Sequence, residues 1–507
     1  MLDGVIDGYL QGVTERGFDM PLMALLSSQG FYDIHKLHGA FEFGKDFIAK
    51  RNDGGVVRQY AIQSKKGDIN QGLWRRIRPQ IDEARYNTIA HPSFDSTLPR
   101  IAVLVTTGRL VGSSAADAQQ YREDLDRRNE IGFEVWDQDR LRNWLIRDPN
   151  CGIADGMAAD MLAVIAAAEQ GPISQQQIER YTRRWAVIPL HQVAIEAAVI
   201  ADKLRTCGRT DLAAITALCA LRAARSQGGT PNSSLYSLMA KELHASYAIG
   251  LLRQYEDVIS KPGVLIDQLG IGFPHVAYSV VCHRLAETWG LLALADHVEN
   301  EISEAARMAV RTIISKQMGV GRPISDRWAI SLVCATLSTF RKSPSEVAQL
   351  MKDVIVWIAD RYQDGPGLAS VDSSELEEVE YILGPPLSHV DIRRRKTSYL
   401  AAAALDLCIF FNFNELYEDA VHDFRAVDLV PTVVLADENI ARWGAGEFGI
   451  RSRPLLRYSP TWNPEMRVPP YESLPSPEGV SAWDALALAC LPRDRHPFQA
   501  FSELCLA

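Results

Sequence analysis

The tetrapeptide Asn52-Asp53-Gly54-Gly55 lies between two stretches that have the composition of β-strands. Asn, Asp and Gly adopt positive φ more easily than other residues, and clusters of them are typical of tight turns between antiparallel strands. The stretches on either side, residues 41–49 and 60–66, are therefore predicted to pair as a β-hairpin. If the turn closes at this tetrapeptide, Asp46 lies opposite residues 61 to 62.

This predicted hairpin brings an acid, an amide and an ammonium group together. Residues two apart on a strand project to the same face, so Gln63 and Lys65 are predicted to share a face. With Asp46 on the neighbouring strand, the three side chains are expected within a few ångströms of one another. Such a group can hold a divalent cation and a phosphate.

The rest of the first 145 residues alternates between helical and strand patterns. Apolar residues recur at helical spacing from Phe18, after a weakly patterned start, and the helix is expected to end at Gln29-Gly30. Pro79 is predicted to break or kink a helix, with a second helical piece after it. The remaining predicted elements are a strand over 100–108, a helix over 114–129, a strand over 132–136 and a short helix through Leu145. This order predicts an α/β domain over residues 1–149.

Strand patterns largely vanish after Asp148-Pro149-Asn150-Cys151-Gly152, and Ala- and Leu-rich helical patterns follow, interrupted by a Pro-rich segment from Arg453 to Glu478 that is predicted to be irregular. Helices of ten to twenty residues with short connections predict an all-α region over residues 152–507, a helical bundle or solenoid-like array, with a sub-boundary near 365–390. The most apolar run, Tyr399 to Phe413, is shorter than the roughly 20 residues of a membrane span. It is predicted to be a buried core helix, and no membrane partner is expected.

Composition limits the classes of function. The 507 residues carry a formal net charge of −10, which excludes a uniformly basic nucleic-acid-binding protein but not a local basic patch. The eight cysteines are scattered without a Cys-x-x-Cys pair, which argues against a zinc ribbon or a disulfide framework and favours a reducing compartment. The start of the chain also lacks the pattern of a signal peptide. A cytoplasmic protein is expected.

A local basic patch is predicted next to the hairpin. Arg75, Arg76 and Arg78 lie beside Trp74, and residues 42–85 contain ten Lys and Arg against six Asp and Glu, an excess of four. Arginine suits phosphate, and a tryptophan can stack on a base, so this segment is a candidate DNA contact. The alternative is a solvated helix face with Trp74 in the core.

Four motifs give the first domain a resemblance to a nuclease family. They are Phe18-Asp19 with the apolar helix after it, Gly44-Lys45-Asp46, Gln63-Ser64-Lys65, and Val105-Thr106-Thr107-Gly108 with Val135-Trp136-Asp137. In this order and spacing, residues 14–147 resemble the Mrr-like branch of the PD-(D/E)XK nuclease superfamily, the type IV restriction endonucleases and their relatives. The resemblance implies a restriction-endonuclease-like α/β fold and metal-dependent phosphodiester hydrolysis.

The resemblance also implies roles for individual residues. Asp46 would be the principal ligand of Mg²⁺ or Mn²⁺, with the Gln63 side chain and the Ser64 carbonyl as further ligands. Lys65 would hold or deprotonate the attacking water and stabilise negative charge. Lys45 and Lys66 would contact phosphate or be solvated. For Asp46 and Lys65, a surface salt bridge is the alternative.

Gln63 departs from the glutamate that many members of the family have at this position. The hairpin alone then supplies one carboxylate, so a further acid is expected to complete a site for two metal ions. Asp19 matches the family pattern and is the first candidate, although it could instead cap its helix. Glu15 and Glu42 are weaker substitutes.

The sequence therefore predicts a Mg²⁺-dependent endonuclease that cleaves DNA. By resemblance, the setting is bacterial defence against phage or other foreign DNA, and the helical region would sense a trigger, bind a protein partner or form a homo-oligomer. Two alternatives remain open at this stage: a nuclease fold that binds nucleic acid without cleaving it, and a ribonuclease.

Overall fold

A computed structural model describes residues 2–37, 43–89, 91–130, 132–153, 158–170, 173–230, 232–267, 273–384, 394–434, 452–454, 480–495 and 504. The chain divides into two compact units. The first comprises Met1–Ile173 and Arg183–Lys203 and is called the sheet unit below. The second comprises Ser174–Thr182 and Leu204–Ala507 and is called the helical unit. The sheet unit thus runs past the predicted boundary at residue 149.

The sheet unit contains five strands with helices between them. Its strands are β1 (Tyr32–Lys36), β2 (Phe47–Asp53), β3 (Val56–Lys65), β4 (Arg100–Thr106) and β5 (Gly132–Trp136). Its helices are α1 (Leu2–Gly12), α2 (Asp19–Ser28), α3 (Gln71–Tyr86), α4 (Ser114–Arg127), α5 (Gln138–Arg147), α6 (Ala158–Gln170) and α8 (Leu190–Thr206) as far as Lys203. A short 3-10 turn, Arg16–Phe18, precedes α2. Up to residue 149 this is the predicted α/β layout with two additional elements, α1 and β1, and beyond that residue the unit also takes in α6 and α8 as far as Lys203.

The sheet is mixed and follows the chain in its strand order, β1-β2-β3-β4-β5. β1, β2 and β3 pair antiparallel, whereas β3, β4 and β5 pair parallel. The carboxyl ends of β1, β3, β4 and β5 therefore meet the amino end of β2 at one edge. We call this edge, which includes Lys36, Asp46 and Lys65, the site edge.

Helix α3 runs through Pro79 without interruption, so the predicted break or kink there is not a break. Its buried residues Trp74, Ile77, Ile81 and Ala84 form one stripe, whereas Pro79 is exposed. Proline removes one backbone hydrogen bond and disfavours a helix interior, but burial of this stripe against Ala61, Ala102, Tyr121 and Phe133 outweighs that loss. Tertiary packing thus decides the continuity of α3.

The helical unit is built from helices α7 (Gln175–Thr182), α9 (Thr210–Ser226), α10 (Ser233–Ile259), α11 (Val264–Asp267), α12 (Pro274–Ala293), α13 (Asn300–Lys316), α14 (Ala329–Thr339), α15 (Pro344–Asp364), α16 (Glu375–Leu383), α17 (Tyr399–Phe410), α18 (Asn414–Ala426) and α19 (Ala482–Ala489). Helix α14 is buried along its whole length, and α17 is buried from Tyr399 to Cys408. Helices that are apolar on all sides form the core of such a unit, so α17 is the core helix that its composition predicts. No helix in the described part of the chain is long and apolar enough to span a membrane.

The helical unit is not entirely helical, which corrects the all-α prediction. Three short strands, β6 (Thr397–Ser398), β7 (Val430–Val434) and β8 (Ser452–Pro454), form a second sheet. The run Thr432-Val433-Val434 is β-branched and suits a strand, but it is too short to stand out from the sequence. The predicted sub-boundary near 365–390 lies partly, and the irregular segment 453–478 almost wholly, outside the described residues.

Candidate active site at the sheet edge

The hairpin turn has the geometry that its sequence predicts. Gly54 and Gly55 have φ values of 63° and 93°, and the Gly55 N–H donates to Asn52 Oδ1 at 2.8 Å. The register pairs Phe47 with Ile62, and the Asp46 N–H donates to the Ile62 carbonyl at 2.8 Å. Asp46 therefore directly precedes β2 and continues this register opposite Gln63, one residue beyond the predicted positions 61 to 62.

Gly44 brings the chain into this position. It has φ of 69°, and a Cβ there would lie 2.0 Å from the Gln80 carbonyl oxygen of α3. Only glycine tolerates both the left-handed conformation and so close an approach. The glycine two residues before Asp46 thus has a physical reason, because it lets the loop pass directly against α3 before β2 begins.

Asp46, Gln63 and Ser64 converge. Asp46 Oδ2 accepts a hydrogen bond of 2.7 Å from Gln63 Nε2 and another of 2.7 Å from the Ser64 N–H. Gln63 is 4% exposed and Ser64 2%, whereas Asp46 is half-buried. The carboxylate is therefore held from one side by β3.

Lys65 pairs with the carboxylate of Glu15 and not with that of Asp46. Its Nζ lies 3.3 Å from Glu15 Oε1, and this pair is the salt bridge that the structure gives Lys65. Glu15 directly precedes the 3-10 turn that leads into α2, and its side chain is 48% exposed. The position of this turn thus places Glu15 at the site edge, next to Lys65.

Asp19 is the first residue of α2 and forms an ion pair with Lys36, the last residue of β1. It makes no capping hydrogen bond, since Phe18 occupies the cap position. Lys36 is paired in register with Phe47, and the next residue, Leu37, donates its N–H to the Asp46 carbonyl at 2.8 Å. The Asp19–Lys36 pair therefore borders the Asp46 position, but the structure shows no direct bond between the two acids.

The oxygen atoms that Asp46 and Gln63 could offer as ligands are suited to a hard divalent cation that keeps much of its hydration shell. Mg²⁺ is commonly held by one or two carboxylates with water in the remaining positions. The Gln63 side chain points its amide nitrogen at Asp46. A half-turn of the terminal amide group would place the amide oxygen there instead. Among the described residues, no group of three or more His, Cys, Asp or Glu side chains is arranged to hold a metal ion. Glu42, the other predicted acid, lies outside the described residues.

Lys45 is not a surface residue, so it is removed from the predicted nucleic-acid contacts. It is fully buried, and its Nζ donates to the Phe43 and Glu83 carbonyls at 3.2 and 3.3 Å. Burial, and then the charge of Arg100, lowers the pKa of Lys45 from 10.5 to about 8. A lysine held in this way ties the loop before β2 to helix α3.

Trp74 is also buried, and the prediction that it contacts nucleic acid is wrong. Its ring packs in the core, with the Tyr121 and Phe133 ring centroids each 6.0 Å away. Its neighbours remain candidates for phosphate contact because they are exposed; they are Lys66, Arg75, Arg76 and Arg78. Arg78 stacks its guanidinium 5.0 Å from the Tyr121 ring centroid.

Two residues of the site edge, Lys36 and Glu15, are not predicted or are ranked too low from the sequence. Lys36 has no motif around it, because β1 carries a weak strand pattern. Glu15 is only a secondary candidate because it lies in a segment without periodicity. The spacing of Glu15 and Asp19, which places two acids about one helical turn apart, is the signal that could have raised Glu15; no comparable signal points to Lys36.

Comparison with known proteins gives no match: no protein-family model, curated protein or solved structure is similar enough to this chain to be assigned to it.

Proposed function

We propose that the sheet unit is a metal-dependent endonuclease that hydrolyses phosphodiester bonds of DNA at the site edge. The observation that carries the proposal is the convergence of Asp46, Gln63 and Ser64 next to Lys65 at the end of β3. An acid and an amide suited to a hard cation then lie beside an ammonium group that can neutralise phosphate. The motif order that resembles the PD-(D/E)XK family supports the same proposal.

Each residue has a defined task under this proposal. Asp46 and Gln63 would hold Mg²⁺ or Mn²⁺, with the Ser64 carbonyl as a further ligand. A bound divalent ion polarises a phosphoryl oxygen and makes a bound water more acidic. Lys65 orients the attacking water and stabilises the negative charge that develops on the phosphate. Glu15 holds the Lys65 ammonium in place until substrate arrives.

The DNA backbone would approach over the exposed cations that flank this edge. Lys66 follows β3 directly, and Arg75, Arg76 and Arg78 lie on the solvent side of α3. Such cations supply the salt-dependent, sequence-independent part of DNA binding. The helical unit would then bind a protein partner or a second copy of the chain. A cytoplasmic enzyme of bacterial defence remains the setting that the resemblance implies.

A second candidate function is nucleic-acid binding without cleavage. It is favoured by the ion pairs at the site edge, since Asp19 is engaged by Lys36 and Lys65 by Glu15. Asp46 is then the one carboxylate beside Gln63, and a site for two metal ions usually needs more than one carboxylate. Cleavage and binding must therefore be measured separately.

The test uses the full chain with supercoiled plasmid DNA and 5 to 10 mM Mg²⁺ or Mn²⁺, in parallel with a labelled RNA of the same sequence. Loss of a metal ligand or of a charge-stabilising lysine commonly lowers the rate by about 10² to 10⁴. Asp46→Asn and Lys65→Gln are expected to lose cleavage to this extent. Asp126→Asn, at an exposed acid of α4, is the matched control and should cleave like the wild type.

The outcomes separate the candidates. Metal-dependent nicking of DNA that both site variants lose and the control keeps supports the proposal. Binding of DNA without cleavage, with or without metal, favours the second candidate. Cleavage of the RNA alone would replace DNA by RNA as the substrate, and equal cleavage by wild type and both site variants would refute the assignment of the site.

A further inference from the structure

The core of the helical unit places two cysteine thiols against each other. Cys334 lies in the middle of α14, and Cys490 directly follows the last residue of α19. Their Sγ atoms are 3.9 Å apart, although 156 positions of the chain separate the two residues. Both residues are fully buried. Two thiols at this distance can be joined by a reversible covalent bond without a large change in the fold.

Cys334 is held in place by the close packing of α12 against α14. A Cβ on Gly290 of α12 would lie 2.7 Å from the Cys334 carbonyl oxygen and 3.0 Å from the Cys334 Cβ. The glycine therefore lets the two helices approach at this point, which a larger residue would prevent. Since α14 is also buried along its whole length, its backbone gives Cys334 a fixed position.

The other thiol depends on where α19 docks. Near the start of this helix, Asp484 is fully buried and forms ion pairs with Arg225 and with Lys241 Nζ, the latter at 2.7 Å. At its end, Gln175 Nε2 donates to the Cys490 carbonyl at 3.3 Å. A helix of eight residues is not stable by itself, so these tertiary contacts decide the position of Cys490.

The pair is in the reduced state and is close to the geometry of a disulfide. The sulfurs of a disulfide are about 2.05 Å apart, so the two Sγ atoms would have to approach by about 2 Å. Rotation of a cysteine side chain together with a small shift of α19 covers this distance. Burial, and then the contact with Cys334, raises the pKa of the Cys490 thiol well above its usual range. Because the thiolate is the reactive form, both thiols are protected while α19 is fully docked.

We propose that Cys334 and Cys490 are a redox modification site, at which a hydroperoxide converts the two thiols into a disulfide that fastens α19 to α14. With hydrogen peroxide, one sulfur attacks a peroxide oxygen, the O–O bond breaks, and a sulfenic acid and water are formed. The second thiol attacks the sulfenic sulfur, the S–O bond breaks, and a second water leaves as the S–S bond forms. Two electrons pass from the sulfurs to the peroxide, and both thiol protons end in water.

The consequence of this bond is a covalent closure of the helical unit. A link between residues 156 positions apart removes many conformations of the unfolded chain and so stabilises the folded one. It also prevents α19 from leaving its place. In a reducing compartment, which the scattered cysteines favour, such a bond forms only transiently and responds to oxidation. The proposal concerns the helical unit alone and does not depend on nuclease activity.

The test treats the reduced full chain with submillimolar hydrogen peroxide. The remaining thiols are then alkylated in denaturant, and mass spectrometry of the digested chain locates the linked peptides. A peptide pair joined through Cys334 and Cys490 is expected, and it should disappear after reduction with dithiothreitol. The oxidised chain should also unfold at a higher temperature, with Tm raised by at least about 3 °C.

Variants show whether this pair causes the thermal shift. Cys490→Ala should lose both the linked peptides and the rise in Tm. Cys408→Ala is the matched control and should keep both, because Cys408 is a buried cysteine of α17 whose pKa is raised by burial alone. If Cys490→Ala does not fold, Cys334→Ala takes its place, and the peptide analysis of the wild type needs no variant. Absence of the linked peptides from the oxidised wild type, or a rise in Tm that Cys490→Ala retains, would overturn the proposal.

Discussion

The site edge of the sheet unit and the interior of the helical unit handle charge in opposite ways. At the site edge, Lys65 pairs with a half-exposed Glu15, and water reaches the pair. In the helical unit, Arg493 and Glu287 form an ion pair in which both side chains are almost completely buried. The first pair can open at little cost, whereas the second is locked into the fold.

The difference indicates what each region can do. A charged group that is weakly held and hydrated can exchange its partner for a metal ion or a phosphate. A buried charge is retained only while its partners remain, because an unpaired charge in a low-dielectric interior is strongly destabilising. Judged by how strongly each ion pair is held, the exposed Lys65–Glu15 pair is suited to binding a metal ion or a phosphate, and the buried Arg493–Glu287 pair stabilises the fold. Arg284 belongs to the same buried cluster as Arg493, because its Nη1 lies 3.8 Å from Glu287 Oε1.

The largest effect that this comparison predicts is the loss of the buried pair. Arg493→Ala removes the closer of the two arginines that pair with Glu287, the other being Arg284 at 3.8 Å, and it also removes hydrogen bonds to Gln175 and to the Arg327 carbonyl, each 3.1 Å long. We expect the free energy of unfolding to fall by about 3 to 5 kcal/mol. Urea unfolding followed by circular dichroism measures the loss, with the exposed Arg341→Gln as the control.

A double variant sharpens this prediction. Arg493→Met combined with Glu287→Leu removes both charges of this pair, but it also takes away the carboxylate that lies 3.8 Å from Arg284. Stability should recover by part of the loss seen for Arg493→Ala, because apolar replacement of a buried pair is often neutral, and the unpaired Arg284 should account for the remainder. A loss below about 1 kcal/mol for Arg493→Ala would show that the pair is hydrated and would break the comparison.

The two regions also differ in how far their sequence predicts them. The hairpin could be predicted because its information is local: Gly54 and Gly55 define the turn, and antiparallel pairing from that turn places Asp46 within one to two residues of Gln63, the position that the register gives it. Helix α1 and strand β1 were missed because neither has a strong pattern. Val5, Ile6, Tyr9 and Leu10 of α1 are buried, but the glycines between them weaken the helical signal.

The parts of the sites that depend on packing could not be predicted. Periodicity shows which face of α3 is apolar, but not that Lys45 is buried against the Glu83 carbonyl. The partner of Lys65 depends on where the turn before α2 packs. A cavity in the helical unit is harder still to predict, because its wall combines Arg209, Arg284 and Arg327 from segments far apart in the chain.

Lys45 allows the comparison to be tested inside the sheet unit, because it is a buried cation that donates only to carbonyls. Its pKa is about 8 in the folded protein and about 10.4 in an unfolded chain. Between these values the unfolded chain binds more protons, so stability should rise with pH from about 8 to 10.5. The rise attributable to Lys45 should be about 1 to 3 kcal/mol.

Lys45→Met should flatten this rise, which urea unfolding at pH 7.5, 9 and 10 would measure. Other groups titrate in the same range, so the comparison is made with Lys66→Met, at the exposed lysine that follows β3. The control should keep the slope of the wild type. Parallel pH profiles for wild type and Lys45→Met would mean that Lys45 is solvated, and Lys45 would then no longer be an example of a buried charge inside the sheet unit.

The smallest predicted effect on stability is at the exposed pair itself. Glu15→Gln removes the partner of Lys65, and because the pair is hydrated, the free energy of unfolding should change by less than about 1 kcal/mol. Cleavage of plasmid DNA should respond more strongly than stability if Glu15 positions the Lys65 ammonium, and it should then show a changed dependence on Mg²⁺ concentration. A loss of several kcal/mol would instead assign Glu15 to the fold. The site edge would then be as rigidly paired as the interior of the helical unit, and Lys65 would not be free to exchange its carboxylate for a phosphate.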